Sequence, residues 1–274
     1  MKESLPAGAP INWVRYQRWL NEFEGYRHQV TRGGLENWLN QFANTHRDVA
    51  ARTLDCVDFI GAAKIDAAFR QALGALPGWN VDPQARQGRW RFVPFSTSAG
   101  ESGDEMIHRF RRANNLGLAK FNDLFIHPSS LMQEKLSATD TVVFVDDFSG
   151  SGRQAVDKWR DVFAELLAEG PTVYLVLVAA ATHVNRLITD ETGIRVICDV
   201  YLHESDNIFS DTCTRFSVED KRAIRTYCRR ADNASPNGYG NCGLLVVFAH
   251  DCPNNSIPIL HKVSPTWNGI FPRT

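Results

Sequence analysis

Thr141 to Gln154 reads Thr-Val-Val-Phe-Val-Asp-Asp-Phe-Ser-Gly-Ser-Gly-Arg-Gln. The apolar, β-branched opening predicts a buried strand, and that strand runs into two adjacent carboxylates, Asp146 and Asp147. Phe148 to Gly152 is built of small residues after its first, so the backbone can turn tightly and aim several N–H groups at one point. A helix is predicted from about Arg153. Two acids fixed by a strand, then a glycine turn into the positive end of a helix, make a device for holding a sugar phosphate.

The commoner phosphate motifs do not fit this stretch. G-x-x-x-x-G-K-[ST] is absent, and no lysine follows the glycines. Gly150-x-Gly152-x-x-Ala155 has the spacing of a dinucleotide fingerprint, but the next strand ends Val178-Ala179-Ala180-Ala181, with no acid to take a ribose hydroxyl. Acids placed before the glycines suit a ribose phosphate instead. The carboxylates accept from the 2- and 3-hydroxyls while the loop and helix end take the 5-phosphate about one sugar length away.

Upstream, Arg89 to Phe95 predicts a strand that leads through a second small-residue loop, Ser96 to Asp104, into a helix from about Glu105 to Arg112. Ser98, Gly100, Ser102 and Gly103 make this loop a second anion candidate; an ordinary connection with Asp104 as N-cap is the alternative. Downstream, a helix to Glu169 places Val156, Trp159, Val162, Phe163, Leu166 and Leu167 on one face. Strands at 172–178, 194–201 and 243–249 alternate with helices at 183–191 and from Ser217. This rhythm predicts an α/β fold with a mostly parallel sheet flanked by helices, in which ligands sit beyond the carboxyl ends of the strands. His250, Asp251, Asn254 and Asn255 follow the last strand and are candidates for recognising a base or an acceptor, against a Pro-Asn-Asn turn that bonds its own backbone.

Residues 1–10 read as a flexible arm, 11–80 as a helical N-terminal segment and 81–274 as the α/β domain. Arginines alternate with aromatics at Trp13, Arg15, Tyr16, Arg18, Trp19, Tyr26 and Arg27. Such a run can stack bases, or it can bury its Trp and Tyr face and solvate its arginines; near-neutral charge favours the second. With 30 basic and 31 acidic residues the net charge is -1, which excludes a global pull towards nucleic acid or an anionic membrane. No apolar run reaches transmembrane length and the start lacks a signal-peptide core, so a cytoplasmic protein is expected, with its six cysteines as reduced thiols.

Val142 to Gln154 resembles the PRPP-binding motif of type I phosphoribosyltransferases. The resemblance implies that Asp146 and Asp147 hold the ribose, that Phe148 opens the loop, and that Ser149, Gly150, Ser151, Gly152, Arg153 and Gln154 surround the 5-phosphate. It further implies PRPP or a nucleotide as substrate and Mg2+ held indirectly by Asp146 and Asp147, through substrate or water. Gln154 stands where that motif usually has a small hydroxyl residue. Over more of the chain, Trp38 to Phe42, Ser102-Gly103-Asp104, Val145 to Gly152 and Leu244 to Leu260 resemble the phosphoribosyltransferase-like effectors of bacterial conflict systems, the PRTase-CE type. That likeness implies an anti-phage effector, and as partners a retron reverse transcriptase with its RNA–DNA product or another protein of the defence operon. Charge balance and the lack of a long apolar run give the separate expectation of no membrane partner. The loop Ser96 to Asp104 has no basic residue and carries Glu101, which would repel a pyrophosphate; Arg109, Arg111, Arg112, Arg153, Arg273 or Mg2+ would have to supply positive charge. Two functions follow: ribosyl transfer or cleavage, or a catalytically inactive nucleotide sensor or scaffold that docks a partner through the N-terminal helices.

Overall fold

Asn12 accepts a hydrogen bond from Arg15 N at 3.1 Å and so starts the first helix, α1 (Trp13–Glu22). It is followed by α2 (Arg32–Leu39), α3 (Arg47–Asp55), a short strand β1 (Asp58–Ile60) and α4 (Ala62–Ala75). Next come β2 (Trp90–Pro94), α5 (Ser102–Ala113), the single turn α6 (Leu131–Glu134), β3 (Thr141–Val145) and β4 (Phe148–Ser149). A helical stretch is then assembled from α7 (Arg153–Lys158), a π-helical turn (Trp159–Phe163) and α8 (Ala164–Leu166). The chain closes with β5 (Thr172–Ala181), α9 (Thr182–Thr192), β6 (Arg195–Leu202), α10 (Val218–Ala231), β7 (Val246–Phe248), α11 (Pro258–His261) and the pair β8 (Val263–Ser264) and β9 (Trp267–Asn268). This computed structural model describes residues 5–98, 101–167 and 170–273.

The chain folds as two compact units, one of Ala63–Leu202 and one of Met1–Ala62 with His203–Thr274. These boundaries do not coincide with the expected cuts after residues 10 and 80. The apolar faces of α1 to α3 were legible, but what covers them lies far along the chain. Trp19, Trp38 and Leu54 share one core with Ile224, Val247, Ile259 and Phe271. Inside the expected helical segment, β1 pairs in parallel with β7, Asp58 opposite Val246.

In this discontinuous unit Trp19 is buried, as a packed amphipathic helix requires, and so is Tyr26 beyond the helix end, while Trp13 is 60% exposed. Arg15 departs from the expectation of solvated arginines. It is buried, its guanidinium 2.6 Å from Asp55 Oδ2, and Trp19 Nε1 donates to Asp55 Oδ1 at 2.9 Å. Arg15 Nη1 also donates to Ala9 O at 2.8 Å, and Gly8 N donates to Asp48 Oδ1 at 3.0 Å, so residues 8 and 9 of the expected arm are tied down.

The Ala63–Leu202 unit is built on a parallel sheet in the order β2, β3, β5, β6, with β4 running on from β3 along the same edge of β5. β5 is buried from Val173 to Ala181, as a strand covered on both faces should be. Its core joins Phe144, Phe163, Leu175, Val184 and Ile194. In the helical stretch after β4 the buried positions are Ala155, Lys158, Phe163 and Leu167. The step of five between Lys158 and Phe163 spans the π turn, which is why Val162, expected on the apolar face, is 37% exposed. The last expected residue of that helix, Glu169, lies outside the described residues. All six cysteines are free, and no helix among the described residues is long and apolar enough to cross a membrane.

Candidate functional site

At the acid pair the strand is interrupted but does not end. Val145 lies opposite Val176 and Phe148 opposite Ala179, so the register with β5 is the same on both sides of Asp146 and Asp147. Backbone bonds carry the pairing through the gap: Asp146 N donates to Val176 O at 3.0 Å, and Val178 N and Ala179 N donate to Asp147 O at 2.9 and 3.1 Å. The other edge is different. β2 accompanies β3 only until Phe95 N bonds Val145 O at 3.0 Å, and then its chain turns away into the second loop. The acids therefore stand where one neighbouring strand continues and the other leaves.

The first turn of α5 is laid against that departing strand. A Cβ at Gly103 would lie 3.0 Å from Phe95 N and 3.1 Å from Phe95 C, so glycine permits an approach that other residues obstruct. This brings Ser102 onto the acids. Its Oγ lies 2.8 Å from Asp146 Oδ1 and 3.0 Å from Asp147 Oδ1. Asp147 N also donates to Asp146 Oδ1, at 2.9 Å. The helix expected from Glu105 starts three residues earlier, at Ser102.

Asp146 is only 8% exposed. Burial first, and then the negative charge of Asp147, raise its pKa well above the ordinary aspartate value, against the opposing influence of Lys158 and Ser102. One hydroxyl proton on Ser102 can serve only one of its two carboxylate contacts at a time. A proton retained by the acid pair satisfies the other.

Beyond the acids, Phe148 and Ser149 are half-buried in β4, Gly150 is buried and Ser151 is half-buried. Gly152 takes φ +73° and is the N-cap of α7, which no side chain caps. Arg153 and Gln154 are exposed. The donors at the start of this helical stretch are therefore left for water or for an anion. Gly152→Ala would force an L-residue into the left-handed region with its Cβ 2.9 Å from Leu187 Cδ2. The leucine tip can shift, but the backbone strain stays. A loss of about 1–2 kcal/mol is expected in a urea melt.

The second loop is organised around its own acid. Glu101 accepts from Ser98 Oγ at 2.7 Å, from Thr97 Oγ1 at 3.3 Å and from Thr97 N at 3.4 Å, and it forms a short ion pair with Lys158. Lys158 is buried and also donates to Phe95 O at 2.7 Å. Burial works to raise the Glu101 pKa, yet the bonds from Lys158 and Ser98 outweigh it and hold the carboxyl below its usual range. The expected repulsion by Glu101 is thus offset by a cation that the sequence reading did not name. Lys158 was hidden because it belongs to the polar spacing of α7, fifty-seven positions from its partner. Of the arginines considered instead, Arg109 pairs with Asp66 at 2.6 Å and Arg111 donates to Leu116 O at 3.0 Å. Of the four residues expected on an anion here, Ser98 faces Glu101, Ser102 faces the acid pair, Gly103 packs on Phe95, and Gly100 lies outside the described residues.

His250, Asp251, Asn254 and Asn255 belong to the other unit. Asp251 Oδ1 accepts from Cys252 N at 2.9 Å, Asn254 O accepts from Tyr239 N at 2.7 Å, and Asn255 Nδ2 donates to Tyr239 O at 3.0 Å. Asn255 thus bonds a distant segment, where a turn bonding its own backbone was the alternative expected.

Among the described residues, no group of three or more His, Cys, Asp or Glu side chains is placed to hold a metal ion. The acid pair offers two carboxylates in a buried setting that a divalent cation would relieve. That donor set fits Mg2+, which keeps waters and takes its remaining oxygens from substrate.

A family model, PRTase-CE, matches residues 35–273 of the chain. No curated protein matches it.

Proposed function

The chain belongs to the PRTase-CE family and is a phosphoribosyltransferase-like protein, and on that premise we propose that Asp146, Asp147 and the loop to Gln154 bind the ribose 5-phosphate portion of PRPP or of a nucleotide. One observation carries this reading. Ser102 holds both carboxylates at the point where β2 leaves, one short loop before an uncapped helix start behind Gly152. The acids then accept from ribose hydroxyls, and the loop N–H groups take the phosphate.

The reaction we assign is ribosyl transfer, or cleavage of the N-glycosidic or pyrophosphate bond. In ribosyl transfer or N-glycosidic cleavage the C1 substituent departs with its bonding electron pair, positive charge develops on C1 and the ring oxygen, and an acceptor nucleophile or water forms the new bond to C1 and gives up its proton. In this reading Asp147, the more accessible acid, stabilises that charge, and Asp146 orients the sugar; their half-buried and buried positions support this division. Mg2+, held through water or substrate by the same pair, would neutralise the leaving group. The setting we propose is a cytoplasmic anti-phage effector, of the retron type or another, whose partner is a reverse transcriptase with its RNA–DNA product or another protein of the defence operon.

A second reading has its own support. Ser98, Thr97 and Lys158 converge on Glu101, so the Thr97 and Ser98 hydroxyls and the one lysine beside this loop are engaged by the chain's own carboxylate instead of by a pyrophosphate. A nucleotide-sensing or scaffold subunit without turnover would carry such a loop. Titrating the full chain with PRPP, ribose 5-phosphate and nucleotides, with and without Mg2+, is expected to show saturable binding that Asp146→Asn/Asp147→Asn removes. Absence of binding by every ribose phosphate sinks the site assignment; binding without product on prolonged incubation selects the sensor.

A further inference from the structure

In the discontinuous unit, a cavity of about 460 Å3 is bordered by Asp232, Tyr239, Asn254, His261, Lys262 and Arg273. A space of this size suits a small organic molecule. Its walls are tied together. Gly238 takes φ +76°, and a Cβ there would lie 2.4 Å from Asn255 O, so the loop carrying Tyr239 is pressed onto the segment carrying Asn254. The bonds Tyr239 N to Asn254 O and Asn255 Nδ2 to Tyr239 O lock the same two segments. The site is therefore formed before any ligand arrives.

Two cations border it, Lys262 beside Asp232 and Arg273 beside Asp251. Asp232 spends both oxygens within the fold: Oδ1 accepts from Ala234 N and Ser235 N at 3.0 and 3.3 Å, and Oδ2 from Lys262 Nζ at 2.8 Å. Lys262 has two further protons to give. Arg273 Nε stands 3.7 Å from Asp251 Oδ2, too long for a hydrogen bond, so its fork is not closed by that carboxylate. His261 lies 3.2 Å through Nε2 from Ser256 O. A carbonyl only accepts, so Nε2 carries the proton and Nδ1 is the ring's acceptor. Burial, and then the positive charge of Arg273, push the His261 pKa down to about 4, so the ring is neutral at physiological pH.

Two cations together with a neutral imidazole acceptor select among anions. A carboxylate at neutral pH has no proton to offer Nδ1. A phosphate monoester, whose second pKa is about 6, is mostly dianionic at neutral pH and offers the cations more charge than a carboxylate, and a hydroxyl on its organic part can donate to the ring. We propose that this cavity is a second binding site, for a small hydroxylated organic phosphate whose anionic group is taken by Lys262 and Arg273 and one of whose hydroxyls donates to His261 Nδ1. It is separate from the acid-pair site and does not depend on the reading given to that site.

The test follows the His261 ring by 15N–1H correlation in the full chain, assigned by its loss in His261→Gln. To keep the other site out of the measurement, the protein carries Asp146→Asn/Asp147→Asn. Inorganic phosphate, ribose 5-phosphate and acetate are titrated at equal ionic strength. Both phosphates are expected to move the ring resonance saturably, with ribose 5-phosphate the tighter, and Arg273→Gln to weaken this at least tenfold at unchanged melting temperature. If Arg273→Gln does not fold, Lys262→Gln takes its place with the same expectation. The proposal is overturned if neither phosphate moves the ring, if acetate moves it equally, if inorganic phosphate binds as tightly as the monoester, or if the folded cation variant binds like its parent.

Discussion

Asp146→Asn is expected to melt at a higher temperature than the wild-type protein and to lose most of its affinity for ribose phosphates. The two effects have one cause. Asp146 is buried beside a second carboxylate and shares Ser102 with it. Its ionised form is penalised by lost hydration and by Asp147, and asparagine removes both penalties while keeping the shape. Relief of about 1 kcal/mol would raise the melting temperature by about 2–4 °C in a chain of this size. The ligand loses a charge-assisted hydrogen bond worth about 1.5–3 kcal/mol, a fall in affinity of roughly 10- to 100-fold.

The pH dependence carries a definite sign. The folded pKa of Asp146 lies above its unfolded value, so between the two the native state holds more protons than the unfolded chain. Stability is full below the unfolded pKa and declines as pH rises through the folded one. Asp146→Asn should flatten that decline. If the pair binds ribose and Mg2+ as proposed, that binding should run the other way, strengthening as pH rises, because the pair would have to release its proton to accept from ribose. Scanning calorimetry from pH 4 to 8 on both proteins checks this; a variant that melts lower than wild type at pH 7 contradicts it.

Asp55→Ala is expected to cost about 3–5 kcal/mol, comparable with the whole stability of a marginal domain. Asp55 accepts from Arg15 Nη2 at 2.6 Å, from Arg15 Nε at 3.3 Å and from Trp19 Nε1 at 2.9 Å. Alanine strands a guanidinium and an indole N–H in a site closed to water. The companion variant Asp55→Ala/Arg15→Met should recover part of the loss, since it removes the stranded guanidinium while the Trp19 indole N–H stays unpaired and a cavity remains. Urea denaturation of the three proteins measures both numbers, and a single-variant loss under about 1 kcal/mol would show that water reaches the pair.

The site was legible to different depths for reasons that particular residues make plain. Asp146 to Gly152 could be read because an acid pair, a glycine turn and a helix start are consecutive. The amphipathic faces of α1 to α3 could be read because their periodicity is local. The contact of Ser102 with the acid pair was not legible, because more than forty positions separate them in the chain. Lys158 was not read at all, since nothing near it in sequence marks it as the counter-ion of Glu101.

By itself, then, the sequence determined the α/β alternation, the strand-acid-glycine-helix order and the identity of the two carboxylates, all of which rest on contacts between near neighbours in the chain. Only the tertiary structure decided that the strand runs on past the acids, that Ser102 bridges them, that Lys158 neutralises Glu101, and that α1 to α3 share a core with the chain's last elements. Those contacts depend on where the backbone travels between distant residues. Burial, not sequence proximity, sets which charges must be paired and how strongly each is held.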